Sequence, residues 1–334
     1  MTLMADKVRK FTLYRIKNLD RAEQEYYQTL QRTLDKIEDD VVKLAGRELP
    51  TEAGKLIELQ SAIAIRPQIR TILQTEFLAW ADTLTKKGFN RQAKRIERAF
   101  KGIGNIPIEF QELTKGDLAL IRNLKLQTFT QFKDISNTFT KRLADKVYQN
   151  TLVGREFVEL EQELRQTING IYSRSNDKEA QKLVDFVKKN KNKKSMQVSV
   201  DKAVQTLQSK FGRDRAGDNM RKYASQLLND GLREFDAQVN AYKASEAGLT
   251  HVKYFGDIIP TTRDHCKKIL RGVYKVRQSN VFSVDEVRKL YKRLPGWSGK
   301  KPGDPLIVRG GYNCRHQWTY VSPDWYDSKG NLII

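Results

Sequence analysis

The sequence predicts a mainly α-helical, elongated N-terminal body followed by a small C-terminal α+β domain. Apolar residues recur at steps of three and four along most of the chain up to Gly248, which is the period of an amphipathic helix. From Thr250 onward, β-branched residues, aromatic residues, prolines and glycines become frequent, which is typical of strands and turns. The length of 334 residues is enough for more than one domain. We therefore predict a helical region of unassigned type at 1–150, a second helical region at 151–249 and the α+β domain at 250–334.

The first helix is predicted over residues 5–46, ending at Gly46. Its apolar residues alternate steps of four and three, as in a heptad seam. These residues are Leu30, Leu34, Ile37, Val41 and Leu44. A coiled-coil arm that docks on a partner is one interpretation. A helix packed within its own bundle is favoured, because the seam is short.

A second helical stretch is predicted from Thr51 to Thr85, with a break or kink at Pro67 and a stop near Gly88. Glycines and a proline predict a loop at residues 102–107. Further helices are predicted at 91–100, 113–150, 156–171, 199–211 with Ser199 as N-cap, and 218–245 with Gly248 as C-cap.

The C-terminal part begins with a predicted strand at His251–Phe255, where polar and apolar residues alternate. Ser283 and Glu286 form a capping-box pattern at the start of a helix that extends to Arg293. Two further strands are predicted at 306–309 and 317–321, with a turn at Gly310-Gly311.

The formal net charge is +21, which requires acidic partners or a solvated lysine-rich surface. Nucleic acid and an acidic protein are the partners that the charge favours. The sequence contains no apolar run long enough for a transmembrane helix and no secretion signal, so no membrane is predicted. Two cysteines do not make a disulfide framework, and a reducing compartment is expected.

The segment 188–195, KKNKNKKS, contains five lysines and no apolar residue. The favoured interpretation is an exposed loop or helix end. The alternative is a patch that binds DNA phosphates without base stacking, since no aromatic residue is interleaved. The candidate phosphate-binding residues are Lys188, Lys189, Lys191, Lys193 and Lys194.

Nucleotide-binding, zinc-protease, serine-hydrolase and zinc-deaminase motifs are all absent from the sequence, so no catalytic residue is predicted. Rare residues nevertheless concentrate in two short segments, His265-Cys266 and Cys314-Arg315-His316. A structural zinc site with Cys266, Cys314, His316 and His265 as candidate ligands is one interpretation. A disulfide between the cysteines is the second, and packing of buried thiols is the third and favoured one.

Arg263 and Arg315 accompany these two segments. A planar guanidinium group can bind a phosphate or a partner carboxylate in a bidentate manner. The favoured alternative is an internal ion pair with Asp264 or Asp257 that fixes the small domain.

Three strings in this region together resemble the C-terminal signature of the phage Mu F-like, head morphogenesis family. They are YFGDIIPTTRDHC ending at Cys266, LRGVY beginning at Leu270, and GGYNCRHQW ending at Trp318. The resemblance is specific over about 70 residues and extends loosely to residues 150–322, so 151–249 would be the helical part of the family region. The matched residues are Arg263, Asp264, Cys266, Leu270, Gly272, Asn313, Cys314, Arg315, His316 and Trp318.

The resemblance implies a minor capsid protein of a tailed phage that takes part in head assembly. Its expected partners are the portal protein, the major capsid protein and double-stranded DNA, and its expected location is the virion, with the host cytoplasm during assembly. His316 replaces the last cysteine of the family's Cys-Arg-Cys form, which weakens the disulfide and leaves metal binding open. The alternatives are a DNA-binding protein outside a virus and a carboxylate-dependent metal nuclease carried in residues 1–150.

Overall fold

The computed structural model describes residues 3–102, 111–175, 177–191, 193–211, 218–260, 262–274, 280–294 and 301–322 of the chain. Contacts divide the chain into two compact units. The first unit takes in Met1–Glu25, Leu84–Thr128 and Leu228–Ile334. The second unit takes in Tyr26–Thr83 and Phe129–Leu227. The division of the chain at residues 150 and 249 stays a prediction.

Helices dominate the described residues up to Glu246, as the sequence predicts. They are α1 (Leu3–Glu48), α2 (Leu59–Ala64), α3 (Arg66–Ile72), α4 (Ala79–Thr83), α5 (Phe89–Gly102), α6 (Lys115–Leu152), α7 (Phe157–Asn169), α8 (Lys178–Asn190), α9 (Gln197–Phe211) and α10 (Met220–Glu246). Short π-helical segments at Leu73–Leu78 and Leu84–Gly88 flank α4, and 3₁₀ turns lie at Gly170–Tyr172 and Lys194–Met196. None of these helices is long and apolar enough to cross a bilayer.

The small α+β region is also confirmed. A hairpin of β1 (Thr51–Glu52) and β2 (Lys55–Leu56) lies earlier in the chain. After α10 follow β3 (His251–Phe255), α11 (Asp264–Leu270), β4 (Val281–Ser283), α12 (Val284–Arg293), α13 (Pro305–Val308) and β5 (Gln317–Val321). Strands β4, β3 and β5 form an antiparallel sheet in that order, with His251 opposite both Ser283 and Val321.

The apolar stripe of α1 is buried in the second unit, as expected for a helix within its own bundle. Leu34, Ile37 and Val41 are fully buried. Trp80 donates its indole N–H to Thr29 Oγ1 at 3.0 Å, which ties α4 to α1. The helix continues past the predicted end at Gly46 as far as Glu48, and Gly46 lies against the ring of Phe157.

Three predictions about local structure are wrong. Residues 51–56 form a hairpin and not a helix, because Ala53 and Gly54 adopt positive φ angles of 47° and 81° that turn the chain back. No helix stops near Gly88, since the π-helical segment leads directly into α5. Ser199 lies inside α9, which begins at Gln197 after a 3₁₀ turn, so its hydroxyl is not an N-cap.

A fourth correction concerns residues 306–309, which were predicted as a strand. Asp304 Oδ1 accepts the Leu306 N–H at 3.0 Å and Pro305 occupies the first turn, so this segment starts the short helix α13. Gly310-Gly311 therefore follows a helix and does not connect two strands. The predicted loop at 102–107 lies almost wholly outside the described residues.

The first unit contains several buried ion pairs on α10. Asp236 accepts hydrogen bonds from Arg15 Nε and from Gln92 Nε2, both at 2.7 Å. Arg233 binds Asp20 and Glu23 of α1 and donates to the carbonyl of Arg315 at 3.1 Å. Arg233 thus connects α10 both to α1 and to the segment that carries Cys314 and His316.

The sheet and its helices enclose a separate apolar core within the first unit. Alternation along β3 turns Val252 and Tyr254 inward, and Trp318 of β5 packs with its ring centroid 4.5 Å from that of Tyr254. The buried members of this core are Val252, Tyr254, Cys266, Ile269, Phe282, Val287, Tyr291, Leu294, Leu306, Cys314 and Trp318. Both cysteines therefore lie inside the core.

Candidate metal centre

Cys266 is positioned by α11, a helix of two turns. Arg263, in an extended conformation, precedes the helix, and Cys266 and Ile269 share its buried face. Gly272 ends the helix with a φ of 71° and donates its N–H to the Ile269 carbonyl at 3.0 Å. A residue with a Cβ is strained in this conformation, which accounts for the glycine.

Cys314 and His316 lie on the stretch that leads into β5. Asn313 precedes them with a φ of 58°, a conformation that asparagine tolerates better than most residues. Its N–H is bound to Asp230 Oδ1 at 2.8 Å, and its side-chain oxygen accepts from Asn229 at 3.0 Å. Two residues of α10 therefore fix the position from which Cys314 enters the core.

Cys266, Cys314 and His316 form one buried cluster, and their ligand atoms all lie within 4.8 Å of one another. The Sγ of Cys314 is 3.5 Å from Nδ1 of His316. Both cysteines are free thiols. The two halves of the sequence signature, 48 positions apart between the cysteines, meet at this cluster.

The orientation of His316 suits a metal ligand. Its Nε2 lies 3.2 Å from the backbone carbonyl of Asp257, which can accept only a hydrogen bond. In the tautomer that donates its Nε2–H to this carbonyl, Nδ1 presents its lone pair toward Cys314, as a metal ligand requires. A carbonyl that fixes the imidazole tautomer in this way is the usual second partner of a metal-bound histidine.

The tyrosine hydroxyl of β3 completes the surroundings of the cluster. Tyr254 Oη lies 3.5 Å from the Sγ of Cys266 and 3.6 Å from that of Cys314. Burial raises the pKa of Tyr254 well above its usual range, so it stays a neutral hydroxyl. Its ring also stacks on that of His316 at a centroid distance of 5.4 Å.

The two thiols differ in acidity. A hydrogen bond between them raises the pKa of Cys266, and burial adds to this rise. The same hydrogen bond lowers the pKa of Cys314 well below its usual range, and the positive charge of Arg309 adds to this fall. Cys314 is therefore the first of the pair to lose its proton, and a thiolate is the form that binds a metal.

Two glycines make room for the cluster. A Cβ at Gly310 would lie 2.6 Å from the Sγ of Cys266 and 2.7 Å from that of Cys314. A Cβ at Gly256 would lie 2.4 Å from Cδ2 of His316, at a φ of 147°. Backbone thus approaches the sulfur and imidazole groups more closely than any side chain would allow.

The donor set fits a borderline-soft metal ion such as zinc. Two thiolates and one imidazole are three of the four ligands in a tetrahedral zinc site. The buried cluster can hold a metal ion with these three residues. His265 does not join it; its ring lies edge-on to that of Tyr291 at a centroid distance of 6.4 Å.

Among the described contacts, the two arginines of the signature have partners other than Asp264 and Asp257. Arg263 Nη2 donates to the carbonyl of Tyr312 at 2.7 Å, and Asp264 lies 3.7 Å from Lys267. The guanidinium group of Arg315 is 4.0 Å from Glu23 of α1. Arg263 thereby links α11 to the segment carrying Cys314, in place of the expected link to Asp264 or Asp257.

The lysine segment divides into paired and exposed residues. Lys188 Nζ binds Asp35 at 3.0 Å, and Lys191 donates to the Tyr27 hydroxyl at 2.8 Å. Both contacts are made to α1 within the second unit. Lys189 and Lys193 are exposed, and the side chain of Lys194 lies outside the described part of the chain. The segment is a helix end and a 3₁₀ turn, in line with its favoured interpretation.

Sequence reasoning missed Tyr254, Asp257, Gly256 and Gly310 as surroundings of the cluster. The first three occur in the family-like string before Cys266, but only their proximity in the fold gives them a role. Gly310 was interpreted as a turn residue, which hid its contact with the sulfur atoms. Comparisons with protein-family models, curated proteins and solved structures found no match to this chain.

Proposed function

We propose that this chain is a structural protein of a tailed-phage particle, of the Mu F-like minor head type. In this role it binds the portal or the inner capsid wall and contacts the packaged DNA. The proposal rests on one observation above all. Residues of the first and the third signature strings contact one another inside the small domain, through the Cys266–Cys314–His316 cluster and the Arg263–Tyr312 hydrogen bond.

The burial of these residues favours a structural role over catalysis. Cys266, Cys314, His316 and Trp318 are each at most 6% exposed, so little surface is available to a substrate. Catalytic cysteines occupy partly exposed, electropositive surroundings, whereas structural ones are buried. The buried position of Cys266, Cys314 and His316 therefore favours a role in holding the small domain together.

We further propose that Cys266, Cys314 and His316 bind one structural zinc ion. Cysteine and histidine together select zinc among the common divalent ions, and carboxylates are absent from the cluster. Zinc would join α11 to the strand β5 and would contribute free energy of folding directly. No proton or electron transfer is assigned to the metal.

The experiment is co-expression of the tagged chain with the portal protein of the same genome, followed by affinity purification at low and at moderate salt. We expect the portal to co-elute at both. Mass spectrometry of purified particles should also detect the chain. Absence from particles together with failure to bind the portal would contradict the proposal. Magnesium-dependent nicking of supercoiled plasmid would favour the nuclease alternative instead.

A further inference from the structure

A groove in the second unit is lined entirely by polar and cationic side chains. Its volume is about 390 Å³. The lining residues are Arg66, Arg70, Gln74, Asn137, Thr140 and Lys141. No apolar or aromatic side chain lines it, so it lacks the anchors that small-molecule pockets and protein interfaces usually have.

The groove arises from two helical stripes. Arg66, Arg70 and Gln74 are spaced four residues apart, along α3 and into the π-helical segment that follows it. Residues at this spacing lie on the same face of a helix, roughly 6 Å apart along its axis. Asn137 and Lys141 repeat the spacing on α6. Each wall of the groove therefore carries cations and side-chain amides.

The three cations of the groove, unlike several other basic residues of the second unit, form no ion pair among the described residues. Lys188, Arg165 and Arg142 each contact an aspartate or a glutamate. Within the described ranges, no salt bridge joins Arg66, Arg70 or Lys141 to an acidic residue. Three positive charges that face one groove without internal compensation attract an anion.

We propose that this groove binds the phosphodiester backbone of double-stranded DNA. Guanidinium, ammonium and amide groups all donate hydrogen bonds to phosphate oxygens. The absence of aromatic lining residues argues against single-stranded nucleic acid, whose bases stack on aromatic rings. The net charge of +21 supplies the long-range attraction for a polyanion.

This inference deepens the DNA contact within the proposed function and rests on that part alone. It differs from the alternative interpretation of the sequence, in which the lysines of 188–194 bind DNA phosphates. Lys188 and Lys191 already bind Asp35 and Tyr27 of α1, so much of that segment is engaged inside the protein. In the groove, Arg66, Arg70 and Lys141 face one concave surface and have no ion-pair partner among the described residues.

The test is a fluorescence anisotropy titration of the full chain with a labelled 30-base-pair duplex, repeated at several salt concentrations. The groove variant carries Arg66→Gln, Arg70→Gln and Lys141→Gln. The control variant carries Lys182→Gln, Lys189→Gln and Lys193→Gln. All six residues are exposed in the second unit, and both variants lose the same charge. Thermal unfolding confirms that each variant is folded.

We expect the groove variant to bind roughly ten- to a hundredfold more weakly at 0.1 M salt, and the slope of log K against log salt to fall by about 2 to 3. The control variant should lose less than about threefold. Equal weakening of both variants, an unaffected groove variant, or a wild-type chain that does not bind the duplex would each overturn the inference.

Two other occupants are tested with the same variants. If the groove variant fails to bind the portal but binds DNA normally, the groove is a site for an acidic protein. If it loses only binding to vesicles that contain phosphatidylserine, the groove is a site for an anionic membrane. Either result overturns the DNA assignment. Failure of the virion experiment, by contrast, contradicts the proposed function and leaves the anisotropy result in place.

Discussion

Lys243 and Asp117 form an ion pair from which solvent is fully excluded. The Nζ of Lys243 lies 3.1 Å from Oδ2 of Asp117, and neither side chain has exposed surface. Lys243 also donates to the carbonyl of Glu112 at 2.6 Å, and Asp117 accepts the N–H of Thr114 at 2.9 Å. The pair joins α10 to the start of α6 within the first unit.

Removal of one partner of this pair should be strongly destabilising. We expect Lys243→Met to lower the free energy of unfolding by about 3–5 kcal/mol, since Asp117 is left as an uncompensated buried charge. The double variant Lys243→Met with Asp117→Leu should regain much of that loss. Urea unfolding followed by circular dichroism measures both. The exposed pair Lys36–Glu76 gives the control, and Lys36→Met should leave the midpoint almost unchanged. A double variant no more stable than Lys243→Met would refute the expectation.

The proposed zinc ion is tested by elemental analysis of protein purified under reducing conditions. We expect about one zinc per chain, lost in Cys266→Ser and in Cys314→Ser. His316→Gln should weaken metal retention, whereas His265→Gln, outside the cluster, should retain it. A chelator should lower the melting temperature of the wild type.

Two other outcomes of that measurement would remove zinc from the structure. A zinc-free protein with two thiols that react after unfolding would leave simple packing of buried cysteines. A zinc-free protein that is purified without a reductant and has no reactive thiols after unfolding would indicate a disulfide between Cys266 and Cys314.

Gly310→Ala should disturb the cluster without a change in any ligand. The new methyl group would meet both sulfur atoms at less than 3 Å, so the segment must shift. We expect a loss of about 1–3 kcal/mol in the free energy of unfolding, and weaker metal retention. Gly102→Ala is the matched control, because a Cβ there has no neighbour within 4 Å. If the two variants were equally stable, the close approach of Gly310 to the sulfurs would be in error.

The capping box of α12 should contribute measurably to the stability of the small core. Ser283 Oγ accepts the Glu286 N–H at 3.2 Å, and the Glu286 carboxylate accepts the Ser283 N–H at 2.6 Å. Ser283→Ala should cost about 1 kcal/mol, and Ser283→Asp should cost much less. Ser209→Ala, an exposed position inside α9, should stay within about 0.5 kcal/mol of the wild type. Thermal and urea unfolding decide between these values.

Local patterns in the sequence predicted local structure well. The stripe from Leu30 to Leu44 identified the buried face of α1, and the Ser283–Glu286 spacing identified the start of α12. The same method failed at 306–309, where Ile307 and Val308 favour a strand but Asp304 and Pro305 start a helix. Capping signals at a segment boundary outweighed the propensities of two residues inside it.

Tertiary proximity was the part that the sequence could not supply. The concentration of cysteine and histidine in two short segments pointed to a shared site, but did not separate His265 from His316. In the fold, His316 lies in the cluster with Cys266. His265 is the neighbour of Cys266 on α11, and its side chain points in a different direction. Arg66 and Lys141 carried no local signal at all, because their shared groove depends on two helical elements that are distant in sequence.

The first unit is assembled from three separate stretches of chain, and this governs when it can form during synthesis. Asp20 leaves the ribosome 213 residues before its partner Arg233. At a synthesis rate of roughly 5–20 residues per second, Arg233 is made about 10–40 seconds after Asp20. During this interval Asp20 and Glu23 of α1 lack their native partner Arg233. A holding chaperone or an assembly partner that binds this helix would therefore increase the yield of native protein, and slower translation would decrease it.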